Sequence, residues 1–368
     1  MRRTVIALAV LTAVVAGCAG GPAPEASRPP TPPPSSPSSP SETASAPAPV
    51  RSWDGLRGRL EALDADVGML AARVGADGAC TPVADLDPGT PRPMASVFKL
   101  YVLGAVAAAA DAGELGWDDE LTVSGSLRSL PSGELQDLPD GSRVPVSLAA
   151  AKMISVSDNT AADLLIDRVG RRSVEEAMTA LGHGRPGLNQ PFLTTREFFT
   201  VGWGAAGLRD DWARAGAAAR LRILTALPGG PLRVSGRDID DPAWESGVDW
   251  FGSAADVCAA LATLHGSGWS TGTTEVLRSV LGHNRGVTID RETWPYVAFK
   301  GGSAPGEVTA AWYGERVDGE RYAFVMQAAS PDAAALADRE SFFRLGEDAF
   351  ALFSHSPRGT RHRGGPRR

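Results

Sequence analysis

Ser96 and Lys99 stand three residues apart at the head of an apolar, Ala-rich run from Leu100 to Ala110. The run predicts a buried helix with Ser96 in its first turn. Positions i and i+3 share a helix face, so the Lys99 amine can reach the Ser96 hydroxyl. A serine alcohol becomes a nucleophile when a base takes its proton, and a lysine stripped of water has the lowered pKa that suits it to that task. The free N–H groups of the helix start add half of an oxyanion hole. Chance produces this spacing in many helices, where the pair is a cap and a surface lysine. Two later stretches change the weighting. Ser157-Asp158-Asn159 brings a second hydroxyl and an amide, and Lys300-Gly301-Gly302-Ser303 brings a second cation at the end of the apolar run Tyr296 to Phe299. Together these groups can attack an amide or ester carbonyl, relay its proton and hold the developing oxyanion.

The elements that must position them can be read around them. Trp53 to Leu63 has helical spacing; Asp66 to Val74 and Ala79 to Leu86 read as strands joined by Gly75-Ala76-Asp77-Gly78. Ser147 to Ile154 is a helix that stops just before Ser157, and Thr160 to Val169 and Ser173 to Leu181 follow as helices. From Gly182 to Gly252 the pattern dissolves into Gly, Pro and Trp around one Arg-rich helix, Trp212 to Leu227. Ala254 to Leu264 and Glu275 to Leu281 are helical, Tyr296–Gly302, Val308–Arg316 and Arg321–Ala329 are strands, and Pro331 to Phe353 is a closing helix. Strands at both ends with helices between predict an α+β domain with an inserted helical lobe.

S-x-x-K, then S-D-N, then a lysine–glycine motif is the signature set of class A β-lactamases and penicillin-binding proteins. The chain, from about Val50 to Ser354, resembles the β-lactamase-like serine hydrolases, and in Phe98-Lys99-Leu100-Tyr101-Val102-Leu103 and Met153-Ile154-Ser155-Val156-Ser157-Asp158-Asn159-Thr160 it is similar to their actinobacterial lipoprotein branch. The resemblance implies a five-stranded antiparallel sheet flanked by helices, plus an all-α lobe. It implies Ser96 as nucleophile, Lys99 as base or relay, Ser157 as proton donor to the leaving nitrogen, and Asn159 as ligand to Lys99 and substrate. Lys300 becomes the second cation, and Gly302 and Ser303 line the oxyanion and substrate side. Asp158 reads as structural. The expected activity is hydrolysis of a β-lactam through an acyl-enzyme. A D,D-peptidase or esterase on the same frame is an alternative, as is a slowly turning-over β-lactam- or peptidoglycan-binding protein.

Two departures from the pattern stand out. The motif lysine is normally followed by Ser or Thr, whose hydroxyl holds a substrate carboxylate; here Gly301 follows. Ser303 or Arg285 are the candidate replacements. The loop glutamate that activates the deacylating water in class A enzymes, in Glu-x-x-Leu-Asn about 36 residues beyond the S-D-N serine, has no counterpart: position 193 is Leu193. Glu245 is the candidate substitute, whereas Glu197, after Thr194 and Thr195, reads as a helix-start residue.

The remaining sequence bounds the setting. The 368 residues, 43% hydrophobic, suffice for a sizeable core. A net charge of −7 gives no reason to expect nucleic-acid binding. The five histidines lack metal-ligand spacing, so neither metal nor cofactor is expected. Residues 1–18 read as a lipoprotein signal peptide, with Val15-Ala16-Gly17-Cys18 as its lipobox and Cys18 as the lipidation site. The Pro/Ser/Ala-rich stretch 19–49 is an expected disordered tether, 50–355 the catalytic domain and 356–368 a basic disordered tail. The expected protein is an exported monomer, lipid-anchored to the outer face of the cell membrane, acting on a small β-lactam or peptidoglycan-like molecule. Cys80 and Cys258 are expected to be buried free thiols.

Overall fold

The computed structural model describes residues 49–356. The expected signal peptide, nearly all of the tether, and the tail beyond residue 356 lie outside the described residues. Five strands form one antiparallel sheet: β1 (Asp66–Val74), β2 (Cys80–Leu86), β3 (Tyr296–Ala304), β4 (Glu307–Glu315) and β5 (Arg321–Ala329), in the order β2-β1-β5-β4-β3. The α+β class and the sheet agree with the expectation.

Alternation along β1 explains the layering, because successive side chains leave a strand on opposite faces. Met69 and Ala71 enter one core with Leu56 and Leu60 of α1 (Trp53–Glu61) and Phe342, Phe350 and Phe353 of α11 (Arg339–Ser354). Leu70, Ala72 and Val74 enter the other, with α2 (Lys99–Asp111), α9 (Ala254–Leu264) and the helical lobe. Both faces of β4 and β5 are therefore covered, which accounts for their near-continuous buried runs.

The helical lobe holds α3 (Val146–Ser155), α4 (Asn159–Val169), α5 (Arg171–Ala180), α6 (Thr195–Trp203), α7 (Leu208–Arg214) and α8 (Ala217–Thr225), and α10 (Thr271–Leu281) packs on α3. Helix α2 is buried from Lys99 to Ala107 and apolar nearly all round, as befits a central helix. Thr194 and Glu197 close a capping box on α6, the helix-start role expected for Glu197.

Several expectations are corrected. The Arg-rich stretch is two helices, not one: Ala215 is extended and Gly216, a weak helix former, caps the second. The closing helix starts at Arg339 rather than Pro331; a 3₁₀ turn (Ala333–Leu336) precedes it, and Asp338 caps it by accepting from Ser341 N–H at 3.0 Å. Cys80 and Cys258 are joined in a disulfide that ties β2 to α9 across 178 residues of sequence.

Candidate active site

The nucleophile's turn comes first. Ala95–Phe98 is a 3₁₀ turn running directly into α2 at Lys99, so Ser96 sits one turn before the α-helix proper. Ala95 adopts a left-handed φ of 42°, a strained choice for a residue with a Cβ. The turn is held by Asp249, whose Oδ1 accepts from Met94 N–H at 3.2 Å and Ala95 N–H at 3.1 Å. Trp250 stacks on Phe98 at 3.7 Å between ring centroids.

Lys99 donates to Ser96 Oγ at 3.3 Å, Ser157 O at 2.6 Å, Ser157 Oγ at 3.1 Å and Asn159 Oδ1 at 2.6 Å. It is wholly buried, and that burial pushes its pKa down to about 7 against the opposing fields of Asp158 and Asp163. Lys300 donates to Ser157 Oγ at 3.0 Å and to Gly301 O at 2.5 Å. Burial first, then the charge of Lys99, hold Lys300 well below the ordinary lysine range. The Ser157 hydroxyl thus bridges two buried amines. Ser157 itself has φ 59°, and the turn it heads is fixed by Asp158, whose carboxylate accepts from the N–H groups of Glu134 (2.6 Å), Leu135 (2.8 Å) and Ala161 (2.8 Å). Asn159 spends its amide N–H on Leu130 O at 2.9 Å, which fixes its oxygen toward Lys99.

Strand β3 closes the other side. A Cβ added at Gly302 would lie 2.5 Å from Ser96 N and 2.8 Å from Met94 O, so only glycine lets the strand pass this close to the nucleophile. Gly301 has a different cause: a Cβ there would meet the rings of Phe299 at 2.7 Å and Phe343 at 3.0 Å. The place of the usual motif hydroxyl is taken by two aromatic side chains. These surfaces enclose a cleft of about 670 Å³ lined by Ser96, Ser157, Asn159, Lys300, Gly302 and Ser303 among others. The motif residues expected together from sequence are together here, Lys99 wholly buried and hydrogen-bonded to Ser96, Ser157 and Asn159 rather than in the lining.

Arg285 and Glu245 are not. Arg285 belongs to a neighbouring groove with Lys152 and Arg291, although Asn284 and Gly286 beside it do face the cleft. Glu245 is exposed on the turn Trp244–Ser246, outside the cleft lining. Glu197 pairs with Arg171 at 2.6 Å, also away from it. None of the described residues lining the cleft is Asp or Glu. The wall that α6 contributes is instead Thr195, Phe198 and Phe199, with Thr195 held by Asp163. Sequence reading missed Arg339, the one arginine among the described lining residues, whose side chain is exposed and pairs with no carboxylate among them. No motif marks it; it reaches the cleft because α11 begins there, one helical turn before Phe343. It missed Asp249 too, although an acid between Val248 and Trp250 is a signal of a buried polar task.

A sheet of this order, with a serine, two buried lysines and a bridging serine hydroxyl in a cleft at its edge, defines a serine hydrolase of the β-lactamase type. The chain belongs to the beta-lactamase enzyme family, whose model matches residues 63–284. Solved structures with the same fold include PBP-A (17% identity, TM-score 0.56, 82% of this chain and 94% of that one). A beta-lactamase from Sphaerobacter thermophilus is similar at 20% identity, TM-score 0.58, covering 83% and 100%. One from Chitinophaga pinensis is similar at 18%, 0.56, 82% and 97%. No curated protein matches the sequence.

Proposed function

We propose that the protein acylates itself at Ser96 with a β-lactam or a related amide and releases the acyl group slowly. The observation that carries this reading is Lys99, a buried amine pushed to about 7 and 3.3 Å from Ser96 Oγ. Above that pH the amine is neutral and can take the Ser96 proton as Oγ attacks the carbonyl. The oxyanion is received by the Ser96 and Ser303 N–H groups. When the C–N bond breaks, the Ser157 hydroxyl gives its proton to the leaving nitrogen and is reprotonated from the lysine pair. A substrate carboxylate near Lys300 and Arg339 restores charge to Lys300, which its own burial opposes. Release requires a water activated on the exposed side of the ester, and the described residues lining the cleft include no carboxylate to activate it. A point mutant of PBP-A, similar in fold at 17% identity, is known as an acyl-enzyme complex with penicillin G, which supports a long-lived ester on such a frame. An exported, monomeric protein anchored through Cys18 fits this role, and the Cys80–Cys258 disulfide supports export.

The test is intact-protein mass spectrometry over time after adding a penicillin. One adduct per chain is expected in the wild type and none in Ser96→Ala. An adduct that survives in Ser96→Ala removes Ser96 from the mechanism.

A further inference from the structure

Behind the Ser96 turn lies a pair of buried acids that the acylation chemistry does not use. Glu307 opens β4, 2% exposed, and Asp249 precedes the short strand Phe251–Gly252, 4% exposed. Asp249 Oδ1 is saturated by the N–H groups of Met94, Ala95 and Trp250. Its Oδ2 has no N–H or O–H partner among the described residues, and neither has Glu307 Oε2. The two carboxyls lie within hydrogen-bonding reach of each other. Two buried carboxylates with no cation between them cannot both be ionised; one proton between them satisfies both orphaned oxygens at once.

The surroundings leave that proton no other owner. Ala304 and Ala329, the partners of Glu307 across β3 and β5, carry no titratable group, nor do Met94 and Ala95. Arg339, from α11, is the cation whose field reaches Glu307 and works against proton retention. Burial, the charge of Asp249 and the hydrogen bond to it outweigh that field and hold Glu307 well above its ordinary value, while burial raises Asp249 only to about 6 because the hydrogen bond from Glu307 and those from the backbone N–H groups favour its anion. Glu307 is therefore the donor and Asp249 the ionised acceptor at neutral pH.

We propose that Glu307 and Asp249 form a one-proton latch that fixes the strained turn at Ala95, and through it Ser96, making Glu307 the positioning residue that sets the alkaline limit of acylation. The latch connects the turn to the β3–β4 hairpin, the same hairpin whose Gly302 packs against Ser96 N, so both sides of the nucleophile depend on one contact. Loss of the proton would set two anions against each other behind the turn. The Ala95 conformation, costly in itself, would then lose the acceptor that holds it. The inference rests on Ser96 being the nucleophile.

Three variants and three readouts test it. Glu307→Gln keeps a donor for Asp249 but has no proton to lose. It should acylate within about threefold of wild type at neutral pH. It should also lack the wild-type fall in acylation at alkaline pH. Glu307→Leu leaves Asp249 Oδ2 unpaired and should lose about tenfold or more through misplacement of Ser96, as should Asp249→Leu, which removes the acceptor of the Met94, Ala95 and Trp250 N–H groups. Infrared spectroscopy should show a protonated-carboxyl C=O band in wild type at neutral pH that is missing from Glu307→Gln. The sign of the stability effect is fixed as well. A carboxyl whose pKa is raised on folding makes stability fall as pH climbs from its unfolded value to its folded one, and that decline should be smaller in Glu307→Gln. Equal losses in Glu307→Gln and Glu307→Leu, an alkaline limb that persists in Glu307→Gln, or the absence of the band would each overturn the latch. A wild type that forms no adduct on Ser96 refutes the acyl-enzyme instead, and the band and the unfolding profile still decide whether the proton is shared.

Discussion

Gly302→Ala separates a backbone collision from a side-chain one at the nucleophile. The new methyl carbon would lie 2.5 Å from Ser96 N, 2.8 Å from Met94 O and 3.0 Å from Ala95 Cβ. The first distance is about 0.9 Å short of ordinary contact, and the nearest obstacles are main chain that cannot rotate away. Either β3 or the 94–96 turn must retreat by something approaching that distance. Such overpacking costs about 1–3 kcal/mol of stability, which a domain of this size survives. Catalysis is hit harder. The strand carries the Ser303 N–H and the turn carries the Ser96 N–H, so the retreat widens the oxyanion pair, and a donor lost there costs about 10²–10³-fold. Acylation of Gly302→Ala, timed by quenched-flow mass spectrometry, should fall by about 100-fold while circular dichroism stays native. Gly301→Ala is the control. Its methyl meets only the rings of Phe299 and Phe343, which are half-buried and can turn, so a loss below about tenfold is expected. Wild-type acylation in Gly302→Ala would refute the close approach of β3 to Ser96, and equal losses in both variants would refute the distinction between main-chain and ring contacts.

Other outcomes follow from the same geometry. Because burial brings Lys99 to about 7 and the neutral amine is the base, the acylation rate should rise through a titration near pH 7; Lys99→Met should lose about 10²–10⁴-fold. A rate that falls through pH 7 would mean that the ammonium is the working form. Arg339→Ala should weaken acylation by a carboxylate-bearing substrate about fivefold, an exposed-pair effect that salt diminishes, and leave the corresponding methyl ester unaffected; an equal loss on both would exclude charge recognition. A chromogenic cephalosporin should give a burst of about one equivalent and then a linear phase slowed by about 10²–10⁴-fold relative to base-assisted turnover. Rapid turnover without a burst would show that water is activated by a group other than a cleft carboxylate.

The sheet and the motif residues were legible because their signals are local. The turn residues Gly75-Ala76-Asp77-Gly78 between β1 and β2, the mostly apolar runs of β4 and β5, and the Ser96–Lys99 spacing each reflect a constraint acting within ten residues. What stayed hidden depends on distant partners. Gly301 reads as a damaged motif until Phe343, from the last helix, is found filling its space. Arg285 lies close to Lys300 in sequence yet belongs to another groove, whereas Arg339 reaches the cleft from the start of α11. The break at Gly216 splits a stretch whose composition alone reads as one helix. Glu245 is one of the few glutamates between Gly182 and Gly252, and its presence in that stretch carries no information on which way the turn Trp244–Ser246 faces.

The Cys80–Cys258 bond closes a loop of 178 residues, so its second half is synthesised long after its first. Compartments buffered by glutathione keep such pairs reduced, and oxidising ones let them form. A thiol titration under denaturing conditions is thus a record of where a given preparation folded. Two reactive sulfurs from this pair mean that the chain folded in a reducing compartment, and none means that β2 and α9 were sealed after leaving it. Rates compared between preparations with different histories would compare two covalently distinct molecules. In the reduced form the tie between the sheet edge and α9 is missing, and α9 packs on β1, β4 and β5 in the same core as α2.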